Sequence, residues 1–184
     1  MPMLQVNPPS PAPRVTATGC CPPFDPAPWS DQELVWKDKV FVKDHVTSFL
    51  HVPLNFGRKL KRDTALISAA QAQVEHPLTL SDEKSPWGAD ILIEVTKAVP
   101  GATMASLSGT FLTRVFEGPF RDASKWAEET RFWVANKGLV LEKLYFGYPT
   151  CPKCARAYGK NYVVLLAQVR ANIPGLLKAP QAVG

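Results

Sequence analysis

No apolar run in the 184-residue chain approaches the roughly 18 residues of a membrane span, so a transmembrane segment is not expected. Nor does the start show a basic region followed by an apolar core and a small-residue cleavage site, which makes the cytoplasm the expected compartment. There is no glycine-rich phosphate loop and no G-x-S-x-G elbow, so neither a nucleotide cradle nor a serine hydrolase finds support. His45, His51 and His76 share no spacing suited to one metal ion. Four cysteines are too few to staple a chain of this size, and in a reducing compartment they read as thiols or metal ligands. The formal charge is +5, but the basic residues are interspersed with acids, as in "KDKVFVKDH" and "RKLKRD". Without a basic stripe to follow a phosphate backbone, nucleic acid is not an expected partner.

What is present divides unevenly along the chain. Half of the 18 prolines fall within the first 28 residues. Residues 1–19 offer almost nothing apolar to bury and are expected to form a disordered proline-rich tail. The following "CCPPFDPAPW" differs, because Phe24 and Trp29 give it something to bury against the domain. One domain is expected over residues 20–170, with residues 171–184 a C-terminal tail that frays.

Within that domain the same order of elements occurs twice, over about 33–97 and 103–170: strand, proline-marked turn, helix, strand, strand. The second helix has the clearest pattern. Ala123, Trp126, Ala127, Thr130, Trp133 and Val134 share a face, Trp126 and Trp133 are expected in the core, and Lys137-Gly138 marks the end. The first helix carries a thinner stripe of Phe56, Leu60, Ile67 and Ala70. Two such units predict an α+β fold: a pseudo-symmetric antiparallel sheet with both helices on one face and a ligand groove on the other.

The run "GTFLTRVFEGPFRDASKWAEETRFWVANKG", followed by "LEKLYFGYPT" and "YVVLLAQV", resembles the C-terminal half of the gyrase-inhibitor-like (GyrI-like) small-molecule-binding family, which is related to SOUL-type folds. The match is concentrated in residues 109–148, around the strand-ending turn Gly118-Pro119-Phe120. The resemblance implies a hydrophobic or aromatic small molecule bound in the groove. It also implies, for some members, hydrolysis of an electrophilic cyclopropane- or ester-type toxin, and hence a role in drug or toxin resistance. A sequestering module without turnover, a partner-binding protein directed at DNA gyrase, and a regulatory module stabilised by zinc or thiols are the alternatives. One position departs from the family pattern. The glutamate that often lies two residues before a strand tyrosine is Phe146 here, counted from Tyr148.

The carboxylate that catalysis needs must therefore come from elsewhere, and Glu117 and Glu94 are the candidates. Each has an ordinary alternative, as a solvated strand end or on a polar sheet face. Trp36, Phe111, Phe116, Tyr145 and Tyr148 lie in predicted strands, where alternate residues face the groove, and Trp87 lies on a turn that can cap it. Cys151 and Cys154 form a CxxC, while Cys20 and Cys21 are adjacent. Three readings stay open for them: a four-cysteine zinc site, a redox dithiol, or thiols that pack at the groove mouth. Under any of the three, the two proline-rich irregular stretches that carry the cysteines are expected to lie near one another.

Overall fold

The computed structural model describes residues 21–49, 52–53, 55–75, 77–85 and 87–172. Seven strands and three helices follow in the order β1 (Glu33–Phe49), β2 (Val52–Pro53), α1 (Phe56–Ala69), β3 (Thr79–Ser85), β4 (Gly88–Glu94), β5 (Thr103–Glu117), α2 (Ala123–Asn136), β6 (Leu139–Gly147), α3 (Pro152–Tyr158) and β7 (Tyr162–Ala171). Apart from the short β2 and α3, this is the repeated strand-helix-strand-strand order expected from the sequence. No helix among the described residues is long and apolar enough to cross a membrane.

All pairings are antiparallel, and they show how the halves are related. In the first half β1 pairs with β4 and β4 with β3; in the second β5 pairs with β7 and β7 with β6. Equivalent strands then join the halves. β1 pairs with β5 from Glu33 to Lys43, and β3 meets β6 at Leu80↔Gly147 and Ser81↔Phe146. The sheet therefore curls until β1, β4, β3, β6, β7 and β5 complete a ring. A bulge in β1 between Trp36 and Lys39 aids the curvature, because the extra residue bends the strand and increases its twist. Asp38 there takes a φ of 50° and is held by Ser108, whose hydroxyl is 2.8 Å from its amide nitrogen.

Strand alternation separates the two faces. Outward residues such as Val42 and Ile93 pack against Ile67 of α1, while Phe146, Val163 and Leu165 pack against Trp126 and Ala127 of α2. Trp126, Ala127, Thr130 and Val134 are the buried positions of α2, in agreement with its sequence stripe, and Gly138 at φ 70° ends it. Inward residues form the interior core, which includes Leu34, Trp36, Phe41, Leu80, Phe111 and Tyr145. Phe24 and Trp29, from the segment before β1, pack onto this core. Thr113 holds that segment in place: its buried hydroxyl donates to the Trp29 carbonyl at 2.6 Å and accepts from the Gln32 amide at 3.3 Å.

Candidate functional site

The inward face begins with an aromatic floor. Trp36 and Phe111 lie with ring centroids 4.3 Å apart, and Phe111 and Tyr145 at 6.4 Å. All three are almost completely buried. The Trp36 Nε1 is buried with no hydrogen-bond partner among the described residues. Such a donor costs about 1–3 kcal/mol unless something accepts from it, so it marks a place where an acceptor atom belongs.

Charged residues follow the floor along the same face. In β1, Lys39, Phe41, Lys43 and His45 alternate inward; opposite Phe41, Lys43 and His45 stand Glu94, Leu92 and Asp90 of β4. Lys39 forms an ion pair with Glu94, and its ammonium also lies 5.4 Å from the Trp36 ring centroid. The second oxygen of Glu94 accepts the Leu78 amide at 3.0 Å, so both oxygens of this buried carboxylate are engaged. Two residues toward the rim from Leu92, Asp90 receives Lys43 at 3.0 Å on one oxygen and His45 Nδ1 at 3.0 Å on the other.

Asp82 of β3 is directly opposite Asp90. Like charges facing one another across strands repel, and the lysines offset this here, Lys143 of β6 reaching Asp82 at 2.8 Å. Burial alone would lower the Lys143 pKa, but the hydrogen bond to Asp82 and the fields of Tyr145 and Asp82 outweigh it and hold the ammonium above its ordinary value.

His45 is the exposed member of this group. Its Nδ1 lies 3.0 Å from an Asp90 oxygen, and in the neutral imidazole a donated Nδ1–H would leave the lone pair on Nε2. The ring lies directly over Gly88, where an added Cβ would be 2.6 Å from Nε2 and 2.9 Å from the Val46 carbonyl oxygen. A side chain at position 88 would displace the imidazole. Three carboxylates, three lysines and a carboxylate-oriented imidazole thus extend from a buried aromatic floor to the rim, an arrangement able to bind a polarised ligand and to take a proton from water.

A second acidic pair lies on the outward face, between α1 and the sheet. Asp44 and Asp63 flank a small, partly open cleft with room for about one water. Burial would raise the Asp44 carboxyl, but Lys59, the His45 amide and Arg62 together bring it below its ordinary value. Asp63 is raised, by burial first and then by the Asp44 charge, against the opposition of Arg62. These groups dock α1.

A model of the family described as Bacterial hydrolase matches residues 12–169. The chain belongs to the bacterial hydrolase family. Among solved structures, an uncharacterised conserved protein from Listeria innocua is similar at 10% identity and a TM-score of 0.56, covering 77% of this chain and 93% of that one. A hydrolase from Listeria innocua is similar at 11% identity and a TM-score of 0.55, covering 77% and 92%. The C-terminal domain of EcmrR is similar at 9% identity and a TM-score of 0.56, covering 77% and 98%. At these identities the likeness is one of fold, and that fold fits the gyrase-inhibitor-like architecture. No curated protein matches the sequence.

In this member of the bacterial hydrolase family the residues singled out from sequence are placed unevenly. Trp36, Phe111, Tyr145 and Glu94 come together on the inward face. Phe116 faces α2 instead, stacked on Trp126 at 5.5 Å. Trp87 is exposed at the β3–β4 turn. Tyr148 lies just past β6 and not in a strand, its ring on the surface; its hydroxyl donates to Glu83, and desolvation of that hydroxyl and the Glu83 charge raise its pKa. Glu117, half exposed, is 3.8 Å from Lys160 and pairs with Tyr162. It lies twelve residues along β5 from Ala105, whose partner Phe41 is opposite Glu94, which is about 40 Å of strand path away.

Of the cysteines, Cys21, Cys151 and Cys154 bring their sulphur atoms within 4.8 Å of one another, as the expected meeting of the two proline-rich stretches requires. Cys20 lies outside the described residues. His45, Asp82 and Asp90 were not among the sequence candidates. The period-2 run Lys39, Phe41, Lys43, His45 opposite "ADILIE" is the signal that could have found the first and last of them, since both strands alternate polar and apolar on one face.

Proposed function

We propose that the protein is a hydrolase for a small hydrophobic or aromatic ester-type electrophile that binds at the inward face. The carrying observation is the unpartnered, buried Trp36 N–H beside the Lys39–Glu94 pair. A substrate whose aromatic part lies against the floor can place a carbonyl oxygen on this donor, which would satisfy the indole and polarise the carbonyl. His45 lies nine residues along β1 from Trp36, about 30 Å of strand path, too far to act on that carbonyl. Glu94, held beside the indole through Lys39, takes a proton from water as the water oxygen attacks the carbonyl carbon. The same proton then passes to the leaving oxygen as its bond to carbon breaks. Lys39 and the Leu78 amide, one on each oxygen, hold the Glu94 carboxylate in place and leave it further lone pairs for a water. Family membership supports hydrolysis as the reaction class.

Turnover and affinity should be measured with a panel of p-nitrophenyl esters for wild type, His45→Gln, Glu94→Gln and Trp36→Phe. Loss of the general base should lower turnover by about 10²–10⁴-fold with little change in affinity. Trp36→Phe, which removes the N–H and keeps a ring, should weaken binding by about tenfold. Glu94→Gln at the wild-type rate would remove this carboxylate from the mechanism, while His45→Gln, distant from the carbonyl, should leave the rate unchanged. Tight binding with no product from the wild type would leave a sequestering protein.

A further inference from the structure

We infer that Cys21, Cys151 and Cys154 form a zinc site that fastens the segment before β1 over the interior core. Cys21 begins that segment and the other two flank the start of α3, more than 120 residues later in the chain. Three thiols from such distant positions within 4.8 Å of one another amount to a preassembled set of soft donors. In tetrahedral thiolate zinc, with bonds near 2.3 Å, the sulphurs stand about 3.8 Å apart, so only a small contraction is needed. Thiolates select zinc over calcium or magnesium, which take oxygen ligands.

Backbone donors already point at the sulphurs. The Cys21 amide is 3.5 Å from the Cys154 sulphur, and the Cys151 amide is 3.4 Å from the Cys21 sulphur. On binding, each cysteine releases its proton to solvent and the sulphur lone pair goes to the metal. Solvent can fill the fourth position.

The consequence follows from what lies beyond Cys21. The Tyr158 hydroxyl donates to the Cys21 carbonyl at 2.6 Å, Phe24 meets Tyr162 at 5.5 Å between centroids, and Trp29 is tied to Thr113. Phe24 and Trp29 pack on the core that contains Trp36 and Phe111. A metal at the thiols would therefore close this side of the interior.

The full chain, purified under reducing conditions, should be assayed for metal and for uptake of added zinc, then loaded with cobalt. About one zinc per chain is expected, along with thiolate-to-cobalt charge-transfer bands. Removal of the metal by a chelator should speed amide exchange in residues 24–32 and leave β6 and β7 unchanged. Cys21 is only half buried, so Cys21→Ser should keep the fold and bind zinc at least about tenfold more weakly. Failure of the reduced chain to take up zinc would overturn the site, as would cobalt bands unchanged in Cys21→Ser. A disulfide between two of the three in anaerobically handled protein would do the same. Bound zinc whose removal leaves exchange in residues 24–32 unaltered would overturn the fastening role.

Discussion

Replacing Gly118 by alanine should destabilise the protein by about 2–6 kcal/mol, through two effects that can be separated. The residue has φ 155°, a backbone conformation that L side chains rarely adopt, and holding one there costs about 1–3 kcal/mol. It has little freedom to relax, because its amide donates to the Asn161 carbonyl at 3.0 Å and its carbonyl accepts from the Asn161 side chain at 2.6 Å. The new Cβ would also be 2.9 Å from Cζ2 of Trp126. That indole is itself confined, buried and stacked on Phe116, so the collision resembles overpacking of a core, about 1–3 kcal/mol more. Urea unfolding followed by tryptophan fluorescence measures the total. Repeating it in Trp126→Phe, which withdraws the colliding edge, measures the steric share: Gly118→Ala should cost at least about 1 kcal/mol less in that background. A loss below about 0.5 kcal/mol in the wild-type background would refute the reasoning for the turn. Additive losses would leave only the backbone effect.

Thr113→Val should loosen the segment before β1 by about 1–2 kcal/mol, seen as faster amide exchange at Gln32, because the Trp29 carbonyl and the Gln32 amide each lose a partner; unchanged exchange would count against the tether. Asp44→Asn should cost about 1–3 kcal/mol at neutral pH, since Lys59 and Arg62 lose their shared carboxylate. Its contribution, from a lowered pKa, is present above the unfolded value near 4 and lost as pH falls through the folded value. Asp63 has the opposite sign: its pKa is raised, so its contribution is complete below the unfolded value and lost as pH rises through the folded one. The stability of wild type minus that of Asp63→Asn should therefore fall as pH rises from about 4, and a difference that climbs would refute the assignment.

Repeated element order, the stripe of α2 and its glycine stop were legible because local periodicity and turn chemistry specify them. Ring closure was not, since the pairing of β1 with β5 joins residues about seventy positions apart and leaves no local mark. For the same reason Trp36 and Phe111 could be named but not recognised as neighbours. Phe116 and Glu117 show the limit of alternation. Adjacent residues must face opposite ways, so at most one of the pair could look inward, and the register of β5 with β7 decides which. The cysteines were the reverse case. Shared proline-rich irregularity suggested that the two stretches meet, and soft-ligand chemistry named zinc as a use for the meeting.

The two joints between the halves differ in extent, and a ring with unequal joints has a preferred direction of yielding. β1 and β5 are laced from Glu33 to Lys43, whereas β3 and β6 meet only at Leu80↔Gly147 and Ser81↔Phe146. Under strain the short joint parts first and the long one acts as the spine about which the halves turn, like a book opening. The edge that lifts carries Asp82 on one page and Lys143 and Tyr145 on the other. Which joint yields first is thus set by the lengths of the strands, and the Asp82–Lys143 ion pair lies across the weaker one as a clasp.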